Sequence, residues 1–283
     1  MAITAAMVKE LRDKTGLGMM TCKKALTESN GDMELAIESL RKKGEATAEK
    51  RAGKDASEGG VTAKVDGSTA VIFKINCETD FSANSDGFKD TLNSFSDAFV
   101  AAKPSTLEEA LQVEVNGDTV ENAAKTLTGK IGEKVEVKDF NIMEAGDNEA
   151  IYSYIHSNRK VGAIVKLSAD DTASLSKDEV VQLGKDIAMQ ISASNPKAIS
   201  KDELDPALVA KEKEIFLEQL KNEGKPAELA EKIVIGKMNK FFKENTLLGQ
   251  EFIKADKVSV EKHIASIDKS IKIVSYIRVE LGA

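Results

Sequence analysis

Apolar side chains at the start of the chain recur with the period of a helix. Within residues 1–44 they fall on one face of each of three short segments, and Gly16 separates the first segment from the second. Thr4 and Asp32 are residue types that cap helix N-termini, and glycine is favoured directly after a helix ends. The pattern therefore predicts a module of three short helices over residues 1–44, with the third helix ending at Gly44.

A segment without large apolar side chains follows these helices. Residues 45–60 consist mainly of Ala, Lys, Glu and Gly, which is the composition of a linker rather than of a packed element. We therefore expect residues 45–60 to connect the module to a separate core. We also expect deletion of residues 1–50 to leave that core folded.

Residues 61–145 have the pattern of a first core subdomain. Two β-branched runs flank Asp66-Gly67, a dipeptide typical of two-residue hairpin turns. A helix with apolar side chains spaced by three and four residues follows, and a strand around Val135 to Met143 ends the subdomain. The apolar stripe of that helix consists of Phe88, Leu92, Phe95 and Phe99.

Residues 146–283 repeat this order of elements as a second core subdomain. A second hairpin, from Ile151 to Leu167, precedes a helix whose start carries Ser176-x-x-Glu179, the pattern of a capping box. A strand from Ile271 to Leu281 closes the subdomain, because its apolar residues alternate with polar ones.

An insertion made only of helices lies inside the second subdomain, at about residues 205–243. Asp205 followed by Pro206 is a favoured helix start, and a short turn at Gly224 leads into a second helix. Two helices joined by so short a turn run antiparallel. The whole pattern predicts an α+β protein: the three-helix module, then a two-subdomain core of antiparallel strands and helices with an inserted antiparallel helical hairpin.

The charge balance and the small number of cysteines limit the classes of partner and the cellular compartments that fit this protein. Its 283 residues include 40 Lys and Arg against 47 Asp and Glu, a net charge of −7, whereas sequence-independent nucleic-acid binding needs a basic surface. Cys22 and Cys77 are too few for the disulfide framework of a small secreted protein. The N-terminus has no apolar secretory core, and no run approaches the ~20 apolar residues of a membrane span. We expect a cytoplasmic protein without a nucleic-acid or membrane partner.

No familiar catalytic motif is present in the sequence. The chain lacks a phosphate-binding glycine-lysine loop, a dinucleotide-binding fingerprint and a paired-histidine zinc motif. Its histidines are His156 and His263, so the enzymatic alternative is a hydrolase that uses a Cys77–His156 nucleophile pair. We expect no catalytic residue, no bound metal and no cofactor.

The end of the most apolar strand offers the strongest candidate site. The run from Val71 to Cys77 predicts a buried strand, and a polar turn follows it directly. A connection that leaves a rigid strand is a good place to present functional side chains. The residues alone leave two alternatives open, because Asp80 could instead cap a turn and Phe81 could instead lie in the core.

This strand end and the segment from Leu11 to Leu26 resemble the elongation factor Ts family, the nucleotide exchange factors of the GTPase elongation factor Tu. The two motifs stand about where the family carries them, and the resemblance extends thinly through nearly the whole chain. It implies that the three-helix module is similar to a ubiquitin-associated domain. It also implies that Thr79, Asp80, Phe81 and Ser82 face the magnesium and phosphate region of elongation factor Tu and promote GDP release.

The chain departs from the family pattern at two positions in this strand and turn. Ser82 stands where the family normally has valine, and Lys74 stands where it often has glutamate. Asp80 and Phe81, to which the resemblance assigns the exchange role, are intact. The departure at Ser82 therefore concerns the local packing.

The resemblance also implies further contacts with elongation factor Tu. The expected contact residues are Leu11, Arg12, Lys23 and Lys24 on the module, and Tyr154, His156 and Arg159 at the second hairpin turn. Many family members continue beyond the final strand into another helical module, so that contact is expected to be missing from a chain that stops at Gly282-Ala283. A homodimer, a heterotetramer with elongation factor Tu, and an adaptor that uses the module for another partner stay open.

Overall fold

The computed structural model describes residues 2–282 as helices combined with small antiparallel sheets, which confirms the α+β fold class. These residues divide into two compact units. The first takes the chain up to Lys64, then Val71–Ile142 and again from Val279, while the second takes Val65–Ala70 and Met143–Arg278. This division is coarser than the predicted domain bounds, which stay a prediction.

The first unit holds three N-terminal helices, a sheet of order β1-β2-β5 and the helices that cover it. Its elements are α1 Ala5–Thr15, α2 Met19–Glu28, α3 Met33–Arg51, β1 Glu58–Asp66, β2 Thr69–Cys77, α4 Asp80–Asn84, α5 Asp86–Ala102, α6 Leu107–Gln112, β3 Glu114–Val115, β4 Asp118–Thr119, α7 Val120–Ile131 and β5 Glu136–Glu144. The predicted helix signals are confirmed, since Thr4 and Asp32 cap α1 and α3 with their side chains and Gly16 ends α1 in the left-handed conformation. The predicted turn at Asp66-Gly67 is confirmed between β1 and β2.

Helix α3 is longer than the sequence pattern indicated. It continues through Gly44 to Arg51, and β1 begins at Glu58, so the predicted helix end at Gly44 and the interpretation of residues 45–60 as a linker are wrong. The reason is a close crossing of α3 and α7, in which a Cβ atom on Gly129 would lie only 2.7 Å from the Cα atom of Gly44. Glycine therefore lets two backbones approach each other here and does not end the helix.

The core of the first unit lies between the sheet and α5. Strand β2 is buried at every residue, and the predicted stripe of α5 is buried against it, as expected. The Phe99 ring contacts the rings of Phe73 and Phe140 edge-on, with centroid distances of 5.0 and 4.9 Å. Edge-on aromatic contacts add to the free energy gained by burial, so β2 is held firmly where the chain leaves it.

The second unit has its own sheet, of order β6-β7-β8, and its own core. Its elements are β6 Glu149–Ile155, β7 Val161–Ser168, α8 Thr172–Leu175, α9 Asp178–Ser194, a 3₁₀ turn Lys201–Glu203, α10 Pro206–Asn222, α11 Ala227–Asn245, α12 Val260–Ile267 and β8 Lys272–Glu280. The predicted capping box before α9 is wrong. Ser176 lies at the end of the short helix α8, and α9 starts after Lys177 without a side-chain cap. A short helix capped by Asp171 occupies the chain just before α9, and this displaces Ser176 from the cap position.

The predicted antiparallel helical hairpin is formed by α10 and α11. Asp205 accepts a hydrogen bond of 2.8 Å from the backbone N–H of Ala207, and Pro206 is the first helical residue. The two helices bury a small apolar cluster that includes Leu220, Val234 and Met238. Among residues 2–282, no helix combines the length and the apolar character that crossing a membrane requires.

Candidate functional site

The turn after β2 presents the predicted site residues at the start of a very short helix. The chain leaves the fully buried strand at Cys77, and the Thr79 side chain caps the five-residue helix α4 by accepting a hydrogen bond of 3.3 Å from the backbone N–H of Ser82. Asp80 and Phe81 are therefore the first two residues of a helical turn anchored to the sheet.

Phe81 points into solvent. Its side chain is 88% exposed, more than that of any other large apolar residue in the described part of the chain, and this excludes the alternative that it belongs to the core. Asp80 is exposed as well, and Thr79 rather than Asp80 supplies the cap of the turn. A charge and an aromatic ring thus lie side by side on the surface, as the resemblance implied.

Ser82 and Thr79 are held by Glu133, a residue between α7 and β5 that sequence reasoning missed. The Glu133 carboxylate accepts hydrogen bonds from the Thr79 N–H at 3.0 Å and from the Thr79 hydroxyl at 2.8 Å. Ser82 is buried, and its hydroxyl contributes to lowering the pKa of Glu133. Burial by itself would raise the pKa of Glu133, but the hydrogen bonds from Thr79 and Ser82 outweigh it and lower the pKa below the ordinary value.

Glu78 makes the complementary connection from the other side of the turn. Its carboxylate accepts a hydrogen bond of 2.7 Å from the backbone N–H of Lys134 and pairs with the Arg51 guanidinium at 3.0 Å. Arg51 is the last residue of α3, so three separate segments meet at the base of the turn. No local sequence pattern reveals these contacts, because the partners lie 27 and 56 residues apart.

The Cys77 thiol is buried beneath the same turn and donates a hydrogen bond of 3.2 Å to the carbonyl of Thr79. Burial, with a further contribution from the negative charge of Glu133, raises the pKa of this thiol to about 12. Nucleophilic cysteines react as thiolates, and this thiol is protonated at neutral pH. The hydrolase alternative based on Cys77 and His156 therefore has no activated nucleophile.

The module residues divide into buried and exposed ones. Leu11 is fully buried in the core of the three helices, so the prediction that it contacts a partner is wrong. Arg12, Lys23 and Lys24 are exposed, as a contact role requires. Sequence reasoning did not single out Met20 as a candidate contact residue. Met20 lies at the start of α2 and is 75% exposed although it is a large apolar side chain.

Tyr154, His156 and Arg159 form a local group at the β6–β7 turn in the second unit. The Tyr154 hydroxyl and Nδ1 of His156 are 2.9 Å apart, and the Tyr154 ring also packs on the core of that unit. Arg159 adopts a left-handed backbone conformation with φ of 56° and donates its N–H to the carbonyl of His156. The three residues shape this turn together, and a contact role for them stays a prediction.

The turn after β2 is a projection rather than a pocket. A cleft of about 590 Å³ in the first unit is lined by residues of the module, α5 and α7 such as Lys43, Thr91 and Lys130, and by none of the four site residues. Across residues 2–282, no three His, Cys, Asp or Glu side chains are grouped so that they could hold a metal ion. A protruding charge and ring suit contact with a macromolecule better than binding of a small substrate.

Comparison with protein-family models gives a match over residues 78–283, more than half of the chain, to the family described as Elongation factor TS. The match begins at Glu78, directly before the four site residues. The three N-terminal helices lie outside the matched range.

Proposed function

The chain belongs to the elongation factor Ts family, and from this premise we propose that it releases GDP from elongation factor Tu by inserting Asp80 and Phe81 at the magnesium and phosphate site. Membership of the family implies a nucleotide exchange factor for elongation factor Tu in translation elongation. The observation that carries the finer proposal is the exposure of the Phe81 ring beside Asp80, on a turn anchored to a buried strand.

Such a reaction needs no covalent chemistry from the exchange factor. A GTPase holds its nucleotide through backbone N–H groups, a lysine and a magnesium ion. An exchange factor binds a conformation in which some of these contacts are broken. Because coupling between two ligands is reciprocal, the factor weakens GDP binding as much as GDP weakens binding of the factor.

The two exposed side chains have different roles in this proposal. The negative charge of Asp80 disturbs the electrostatic balance around the magnesium ion, which is the largest local charge in such a site. The ring of Phe81 fills space between elements of the partner, as an aromatic anchor does at an interface. Both side chains are available without rearrangement of the core, since neither is buried.

The remaining contacts in the proposal supply affinity. The exposed cations Arg12, Lys23 and Lys24, together with Met20, form the surface of the module that we assign to docking. Tyr154, His156 and Arg159 provide a second contact from the β6–β7 turn. We propose no nucleic acid and no membrane as partner, and we place the reaction in the cytoplasm, where translation takes place.

The test is the release of a fluorescent GDP analogue from purified elongation factor Tu, followed by stopped flow with and without this chain. In an excess of unlabelled GDP, which replaces the labelled nucleotide and displaces the factor, we expect release to accelerate, and we expect amounts of the chain far below those of elongation factor Tu to discharge all of the labelled GDP. Tight binding to elongation factor Tu without acceleration would contradict the exchange function. Absence of binding would contradict it too and would favour the adaptor alternative, in which the module binds another partner.

A further inference from the structure

The base of the turn after β2 contains two carboxylates that connect it to the chain between α7 and β5 in a reciprocal manner. The Glu78 side chain accepts from the backbone N–H of Lys134 at 2.7 Å, and the Glu133 side chain accepts from the backbone N–H of Thr79 at 3.0 Å. Each of the two segments thus supplies one carboxylate and donates one backbone N–H to the carboxylate of the other segment. We refer to this arrangement of Glu78, Thr79, Glu133 and Lys134 as the carboxylate latch.

Phe81 cannot hold its own position. Helix α4 has five residues, far fewer than an isolated helix needs in water, and the Phe81 ring makes no contact with the core. The direction of the ring therefore depends on the residues that flank it. These are Thr79, which caps the helix, and Ser82, which is the buried residue of the helix.

Both flanking residues depend on the same carboxylate. Glu133 accepts the N–H and the hydroxyl of Thr79, and the Thr79 hydroxyl in turn accepts the N–H of Ser82. The Thr79 hydroxyl donates its hydrogen to Glu133, and this leaves a lone pair of the hydroxyl oxygen directed at the Ser82 N–H. The hydrogen bond from that N–H to Thr79 caps α4. Hydrogen bonds to an ionised acceptor are about twice as strong as neutral ones.

Arg51 ties the other end of the latch to α3. One guanidinium nitrogen, Nη1, lies 3.0 and 3.4 Å from the two oxygens of Glu78, so a single donor atom is shared between both oxygens of the opposite charge. Helix α3 therefore extends from its packing partners α1 and α2 to the base of the turn after β2.

We propose that Glu133 is a positioning residue of the exchange reaction: through the carboxylate latch it holds Thr79 and Ser82 so that Asp80 and Phe81 meet elongation factor Tu already in place. This inference rests on the proposed function, because it assigns to Glu133 an effect on the rate of GDP release. Preorganisation removes an ordering cost from the step in which the side chains act.

The test compares Glu133→Ala with Glu136→Ala as a matched control. Glu136 lies three residues further along and pairs with the side chains of Lys134 and Lys138, whereas the latch uses only the backbone N–H of Lys134. Stopped-flow release of fluorescent GDP from elongation factor Tu is measured at saturating chain. Amide hydrogen exchange of Thr79 and Ser82 is measured in the chain alone. We expect Glu133→Ala to slow release at least tenfold and to speed amide exchange at both positions, and Glu136→Ala to do neither.

A mutant cycle with the combined variant Asp80→Asn/Phe81→Ala separates positioning from general loss of stability. If Glu133 acts through these two side chains, adding Glu133→Ala to the combined variant should slow release less than twofold further. A full additional tenfold loss in that background would overturn the proposal, and so would an unchanged release rate in Glu133→Ala. If the wild-type chain itself fails to accelerate release, the proposed function fails and the positioning role falls with it. Should Glu133→Ala not fold, Glu133→Gln weakens the same contacts with Thr79 while keeping the volume nearly unchanged, and the same measurements with the same expected results test the proposal.

Discussion

Asp80 is the exposed charge of the turn, and its proposed target is a magnesium ion. Replacing it with asparagine keeps its size and removes the charge, so we expect Asp80→Asn to slow GDP release from elongation factor Tu in millimolar magnesium. A loss of about tenfold corresponds to roughly 1.4 kcal/mol in the barrier to release. When a chelator removes magnesium, the variant and the wild type should release GDP at the same accelerated rate. Equal slowing with and without magnesium would show that Asp80 acts on something else.

Glu133 should make the stability of the chain depend on acid pH. Its pKa in the folded chain is lowered, so its contribution to the free energy of unfolding is complete above the unfolded value of about 4.3 and is lost as the pH falls through the folded value. We expect the stability difference between wild type and Glu133→Gln to be constant from pH 7 to about 5 and to vanish at lower pH. Denaturant unfolding at a series of pH values measures it. The Cys77 thiol beneath stays protonated over this range and does not interfere. A difference that grows toward low pH would contradict the assignment.

At the scale of single residues, the sequence located the turn that carries the candidate site but not the residues that hold it. The four residues from Thr79 to Ser82 were predicted from a strand pattern and a resemblance, both of which are local. Glu133 was missed because its contact with Thr79 spans 54 residues and no spacing rule connects them. Leu11 was misassigned because its neighbour Arg12 is exposed, and a helix turns consecutive residues by about 100° toward different surroundings.

At the scale of helices, the crossing of α3 and α7 gives a matched pair of substitutions. A Cβ atom on Gly129 would lie 2.7 Å from the Cα of Gly44, whereas a Cβ on Gly44 would meet nothing closer than 3.7 Å. We expect Gly129→Ala to destabilise the chain by about 1–3 kcal/mol through overpacking. Gly44→Ala should instead stabilise it by up to about 1 kcal/mol, because alanine favours the helix. Thermal unfolding of both variants checks this, and equal effects would refute the close crossing.

The same crossing explains why element bounds were less predictable than element types. Every strand and long helix expected in the core is present, because periodicity reports which face is buried. Gly44 looked like a helix end since glycine is favoured there, and only the packing of α7 shows that α3 continues. Ser176 looked like a cap, but the separate short helix α8 precedes it. Tertiary contacts decide both cases.

At the scale of the whole molecule, the N-terminal helices are part of the first unit rather than a separable appendage. Helix α3 packs on α7 and carries Arg51 to the latch, so deletion of residues 1–50 exposes one side of α7. We expect the truncated chain to unfold at a lower temperature than the full chain, in addition to binding elongation factor Tu more weakly. An unchanged melting temperature would show that the packing of α3 on α7 adds nothing to the stability of the first unit.

The central claim is that Phe81 acts on the partner and not on its own fold. The most direct measurement is the maximal rate of fluorescent GDP release from elongation factor Tu at saturating Phe81→Ala, with Val274→Ala, another exposed apolar side chain, as control. We predict a fall of roughly tenfold to thirtyfold, the equivalent of about 1.4–2 kcal/mol, with unfolding free energy changed by less than about 0.5 kcal/mol. A maximal rate equal to that of the wild type would contradict the account.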